Sequence, residues 1–169
     1  DATRAKLREA PFTVIGEPEN LQGYPSIRAF QLTGSAQEVL YLTAETGDRS
    51  KSPLPPPNGA VGRPFIMVVA GPDIEKLRSF YGDRFHITSA PARERTLGLL
   101  QKAQHLAPDS LLPITTGRLA MPGNLLEFDG YSAKATARPH AKGELPPGVA
   151  MTSFGVVSLD DIQLPFVKK

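Results

Sequence analysis

Apolar residues run unbroken from Phe65 to Val69, recur at helical spacing after Asp73, and return in strict alternation at Asn124-Leu-Leu-Glu-Phe128. The unbroken run predicts a strand covered on both faces. Asp73 predicts the cap of a helix in which Ile74, Leu77, Phe80 and Tyr81 fall on one side, so that helix should lie on a sheet with Phe80 and Tyr81 in the core. At the far end, a period of two puts Leu126 and Phe128 on one face and Leu125 and Glu127 on the other. Leu111 to Ala120 and Asn124 to Tyr131 read as a closing hairpin around Met121-Pro122-Gly123. Between these elements Phe85 to Ser89 reads as a strand. Thr96 reads as the cap of a second helix with Leu99, Leu100, Ala103 and Leu106 as its apolar stripe. Residues 63–131 therefore read as one complete βαβββ module with a helical insertion.

The first part of the chain carries a similar order without its opening strand. Ala2 to Ala10 reads as a helix limited by Pro11, and Phe12 to Ile15 as a strand. Glu17-Pro-Glu-Asn20 with Gly23 is turn chemistry, and Gly34-Ser35-Ala36 breaks two further strands, Ile27 to Leu32 and Val39 to Thr43. Residues 1–46 read as the tail of a first module. The pattern is already helical at Asp1, which points to sequence upstream. Residues 47–62 hold four prolines, including Pro55-Pro56-Pro57, which favour polyproline II and bar a central strand, so this segment reads as a linker. Residues 132–147 read as a second, polar linker. Val149 to Val157 reads as a strand, and residues 148–169 as the start of a further module.

Composition narrows the classes of function. A length of 169 residues allows one core or two small modules sharing one, and 40% hydrophobic with 21% charged residues is ordinary for a soluble domain. The net charge is +2, with Lys and Arg scattered, which predicts no nucleic-acid or membrane surface. There is no cysteine, so thiolate metal sites, disulfides and Cys nucleophiles are excluded. No apolar run approaches a membrane span of about 20 residues. The expected compartment is the cytoplasm.

Few residues form a motif. His86, His105 and His140 share no metal-binding spacing, and no Gly-x-Ser-x-Gly elbow places a serine. His105 reads as structural near a helix end, His140 as solvated, and His86 as core or pocket wall. Gly71-Pro72 and Gly117 are not phosphate loops, and Gly71 serves the strand-to-helix turn.

The opening strand and helix from Arg63 to Tyr81, together with a closing strand that carries one inward carboxylate at Glu127, resemble the vicinal oxygen chelate superfamily. That superfamily includes glyoxalase I, bleomycin and fosfomycin resistance proteins and extradiol dioxygenases. The resemblance spans about Phe12 to Leu159. It implies an α+β fold of paired βαβββ modules forming a cupped mixed sheet with helices outside. It also implies a divalent metal held by a residue on the first strand and a Glu on the last strand of each module. Glu127 fits a last-strand ligand. Tyr41 stands where the other Glu would be, Phe65 or Ile66 where one His would be, and Met151, Thr152 or Ser153 where the other would be. The resemblance thus implies a protein that binds a small organic molecule in the cup, with the metal site degraded and no cofactor needed. Tyr41, Arg28, Arg118 and His86 are the expected ligand-binding residues. Two alternatives stand beside it. One is a metal-dependent lyase, isomerase or extradiol dioxygenase that uses Fe, Mn, Ni or Zn completed by ligands elsewhere. The other is a non-catalytic binding protein of the bleomycin resistance type. The incomplete modules imply a homodimer.

Overall fold

The structure, a computed structural model, describes residues 2–8, 11–96, 98–103, 105–133 and 135–158. The fold is mixed α+β, and the described residues form two units, one from those within 1–63 and 137–152 and the other from those within 64–136 and 153–158. No helix among them is long and apolar enough to cross a membrane.

The first unit contains α1 (Ala2–Arg8), β1 (Thr13–Val14), β2 (Glu19–Leu21), β3 (Tyr24–Thr33) and β4 (Val39–Glu45). Both β1 and β2 pair antiparallel with β3, at Thr13↔Thr33 and at Glu19↔Ala29, while β4 pairs with β3 from Val39↔Thr33 to Glu45↔Ile27. A strand has two edges, so β1 and β2 share one and β4 takes the other. Gly23, at φ +83°, makes the turn between β2 and β3, a conformation that suits glycine. Ile27, Ala29 and Leu32 of β3 are buried. The proline-bearing segment contributes no strand. Its one regular feature is a 3-10 turn at Arg49–Lys51, where the Asp48 carboxylate accepts from the Ser50 N–H at 3.0 Å.

Two expectations for the later chain are overturned. The polar tract is not a free linker, because Arg138 donates through Nη1 to the Gln37 carbonyl at 2.8 Å and the Gly148 N–H donates to the Ala36 carbonyl at 2.6 Å. Residues 137–152 thereby rejoin the first unit at the β3–β4 turn. Val149 to Val157 forms no strand among the described residues, and the rest of the expected module start, 159–169, lies outside them. Gly148, at φ +96°, bends the chain, and residues 153–158 are anchored by a side chain instead of a ladder. Phe154 packs its ring on Phe85 and Tyr81, with centroids 5.3 and 6.2 Å apart.

The second unit contains β5 (Ile66–Gly71), α2 (Ile74–Phe85), β6 (Arg93–Thr96), α3 (Gly98–Ala103), β7 (Leu111–Arg118) and β8 (Leu125–Gly130). Its sheet order is β5-β8-β7-β6, with β5 parallel to β8 and the remaining neighbours antiparallel. This is the βαβββ connectivity that the sequence predicts. The Asp73 carboxylate caps α2 by accepting from the Lys76 N–H at 2.9 Å. Ile74 is buried, and Leu77 and Tyr81 pack on Leu126 and Phe128, which are both 0% exposed.

Three details of this module differ from expectation. Phe80 is 42% exposed, since it lies about 100° around the helix from the centre of the Ile74, Leu77, Tyr81 stripe and meets Tyr81 edge-on. Phe85 to Ser89 is not a strand. Phe85 ends α2, His86 closes it at φ 56°, and Ile87 is buried as a plug against the sheet. The module's second strand is β6, which ends at Thr96. The side chains of Leu99, Leu100 and Ala103 lie outside the described residues. Gln101 of α3 is buried, and its Nε2 donates to the Pro108 and Ser110 carbonyls at 2.9 and 2.7 Å, which ties α3 to the entry of β7.

Candidate functional site

Alternation along β8 separates two kinds of chemistry. Leu126 and Phe128 face α2, whereas Glu127 and Asp129 point to the opposite side of the sheet. The ladders fix their neighbours. Glu127 lies beside Val68 of β5 and Thr116 of β7, and Asp129 lies beside Ala70 and Ile114. Residues paired across a ladder share a face, so these six side chains make up the centre of the surface turned away from α2. Val68, at 49% exposure, and the exposed Thr116 leave the surface accessible around Glu127, while Asp129 at 6% is covered.

The electrostatics of this pair are unusual. Burial raises the Glu127 carboxyl above the ordinary range, and burial followed by the nearby Glu127 charge raises Asp129 to about 7. Asp129 Oδ1 is buried with no hydrogen-bond partner. The ion pairs of Lys51 with Asp48 and of Arg78 with Glu75 involve neither carboxyl. Two acids thus neighbour each other on one strand face, Asp129 buried and Glu127 partly so, with no ion pair to either among the described residues.

Of the residues expected to bind a ligand, the structure brings one to this surface. Arg118 registers with Leu125 at the end of β7, on the same face as Glu127 and one residue pair away from it. His86 is exposed and caps α2, which packs on the other face of the sheet, so it is not a wall of this site. Arg28 and Tyr41 belong to the first unit, where the ladder places Arg28 beside Ala44 and Tyr41 beside Gln31. Positions 28 and 31 of one strand point to opposite faces, so these two side chains do not share an interior. His105 and His140 are both exposed.

The metal set implied by the resemblance does not fit the described residues. Glu127 holds the last-strand position, but no three of the His, Asp and Glu residues converge on a common point among the described residues. Asp129 is the residue of this candidate site that sequence reasoning missed. Its signal was available, because the alternation that singles out Glu127 continues to position 129. Arg78 was also missed. It donates through Nε to Ser89 Oγ at 2.9 Å and through Nη2 to the Ser89 carbonyl at 3.2 Å, which fastens α2 to the segment that bridges Ser89 to Gly117.

Comparison with family models, with curated proteins and with solved structures gives no match for this chain.

Proposed function

We propose that the chain binds a small organic molecule on the β5–β8–β7 surface turned away from α2, with Glu127 and Asp129 as its polar anchors. The observation that carries this reading is the Asp129 carboxyl, 6% exposed with Oδ1 unpartnered, beside a second, partly buried carboxyl at Glu127. A buried polar atom left unpaired costs about 1–3 kcal/mol, and a bound molecule that donates to it removes that cost. Arrangements that sacrifice stability in this way concentrate at functional sites. The βαβββ order and the last-strand position of Glu127 support a glyoxalase- or dioxygenase-like relationship within the vicinal oxygen chelate superfamily. The incomplete ligand set favours binding in the manner of the bleomycin resistance proteins over metal-dependent turnover.

A thermal-shift screen of small organic molecules tests the reading, because a ligand that prefers the native state raises its melting temperature saturably. Hits should raise the wild-type melting temperature and lose most of that effect in Asp129→Asn or Glu127→Gln. The reading fails if hits act equally on wild type and both variants. A metal-dependent lyase, isomerase or dioxygenase is the second reading, favoured by the position of Glu127. It requires Fe²⁺, Mn²⁺, Ni²⁺ or Zn²⁺ to give a saturable rise that Glu127→Ala abolishes, whereas we expect no such rise.

A further inference from the structure

Resting on the reading of this surface as a binding site, we propose that its ligand is an organic cation, an amine, amidine or guanidine, recognised by Glu127 and Asp129 together. The two carboxyls stand at positions i and i+2 of one strand, about 6–7 Å apart along it at the usual rise per residue. A single ammonium, amidinium or guanidinium seated between them can donate to both through N–H groups that point in different directions. Asp129 is more than nine-tenths buried with an oxygen that accepts nothing from the protein, so a donor is called for at that point.

Charge decides which donor. The other elements of this sheet offer no cation in the right place. β5 presents Val68 and Ala70 beside the acids, and β7 presents Thr116 and Ile114. The arginines on the same face are Arg118, beside Leu125, and Arg93 and Arg95, beside Ile114 and Leu112 on the far side of β7, and none of them pairs directly with either acid. An anionic ligand would meet two acids with nothing to offset them. A neutral donor would satisfy Oδ1 and, where both acids are ionised, leave their mutual repulsion in place. A cation does both, and Val68 with Ile114 provides apolar surface for its carbon skeleton.

Two charge series of matched shape test this on the full chain: benzamidine with benzamide and benzoate, and hexylamine with hexanamide and hexanoate. Binding is measured by calorimetry, and its location by backbone amide shifts. We expect the cations to bind at least tenfold more tightly than their neutral and anionic counterparts, with shifts at Val68, Thr116, Glu127 and Asp129. That preference should disappear in the Glu127→Gln/Asp129→Asn variant and weaken in Glu127→Gln alone. If the double variant does not fold, the comparison of isosteres on wild type and on Glu127→Gln decides. Neutral or anionic isosteres binding here as tightly as the cations would overturn the charge inference and leave the binding surface standing. A cation preference that persists in the variants would also overturn it. No binding of any of the six at this surface would remove both.

Discussion

Asp129 sits two residues beyond Glu127 on β8, and its carboxyl is buried with Oδ1 unpartnered. Alternation made Glu127 legible from the sequence, because Leu126 and Phe128 flank it and demand a core. Asp129 is followed by Gly130 and Tyr131, where that alternation lapses, and neither composition nor period reveals that the position is covered. Its titration gives a signed prediction. An unfolded Asp titrates near about 3.9, whereas in the native state Asp129 titrates at about 7. Between those values the native state holds a proton that the unfolded chain has released, so rising pH destabilises the native state across this window, and the full penalty stands above about 7. Asp129→Asn lacks this penalty. Relative to wild type, the variant should gain stability from pH 5 to pH 8, with a difference on the order of a few kcal/mol at most. Denaturant titrations at the two pH values measure it, and a difference that does not change with pH would show that Asp129 is solvated. Side-chain ¹³C titration should place the Asp129 midpoint near neutrality, and a midpoint near 4 would show the same failure.

Among the elements, those with a strong period and a clear boundary were legible. β5, α2 with its Asp73 cap, and the β7–β8 hairpin all fall where apolar spacing puts them. β6 was not legible, since Arg-Glu-Arg-Thr has no apolar alternation and forms a strand only because β7 offers it a ladder. A charged edge of this kind discourages pairing with other chains. Ile87 and Thr88 read as strand because they are β-branched, yet the chain uses Ile87 as a wedge between the end of α2 and β7. Gly117 is what makes room for it. A Cβ at position 117 would lie 2.5 Å from Ile87 Cγ2 and 3.4 Å from the Phe128 ring. Gly117→Ala should therefore cost about 1–3 kcal/mol through overpacking. Combined with Ile87→Ala it should cost less than the sum of the two single changes, because the neighbours couple. Strict additivity in chemical denaturation would show that the wedge is not seated as described.

At the scale of the whole molecule, the sequence revealed the α+β class and one complete βαβββ module, but not how the later chain is shared. Arg138 and Gly148 return residues 137–152 to the first unit, and Phe154 joins the aromatic cluster of the second, through contacts between residues more than sixty positions apart. Neither local period nor composition encodes such contacts. The polar tract reads as a linker for that reason. Loss of the Arg138 side chain in Arg138→Ala should loosen this return, and it should appear as faster amide exchange at Gly148 with little change at Leu126 or Phe128. Equal exchange at Gly148 in both proteins would show that the arginine does not hold the segment. The central claim is that small molecules are taken up on the face of the second sheet that carries Glu127 and Asp129, and it is tested most directly by mapping backbone amide shifts on saturation with a thermal-shift hit. The account predicts shifts confined to Val68, Ala70, Ile114, Thr116, Glu127 and Asp129, with Ile74, Leu77 and Tyr81 unmoved. Shifts centred on α2 or on β3 and β4, with the Glu127 and Asp129 amides unchanged, would contradict it.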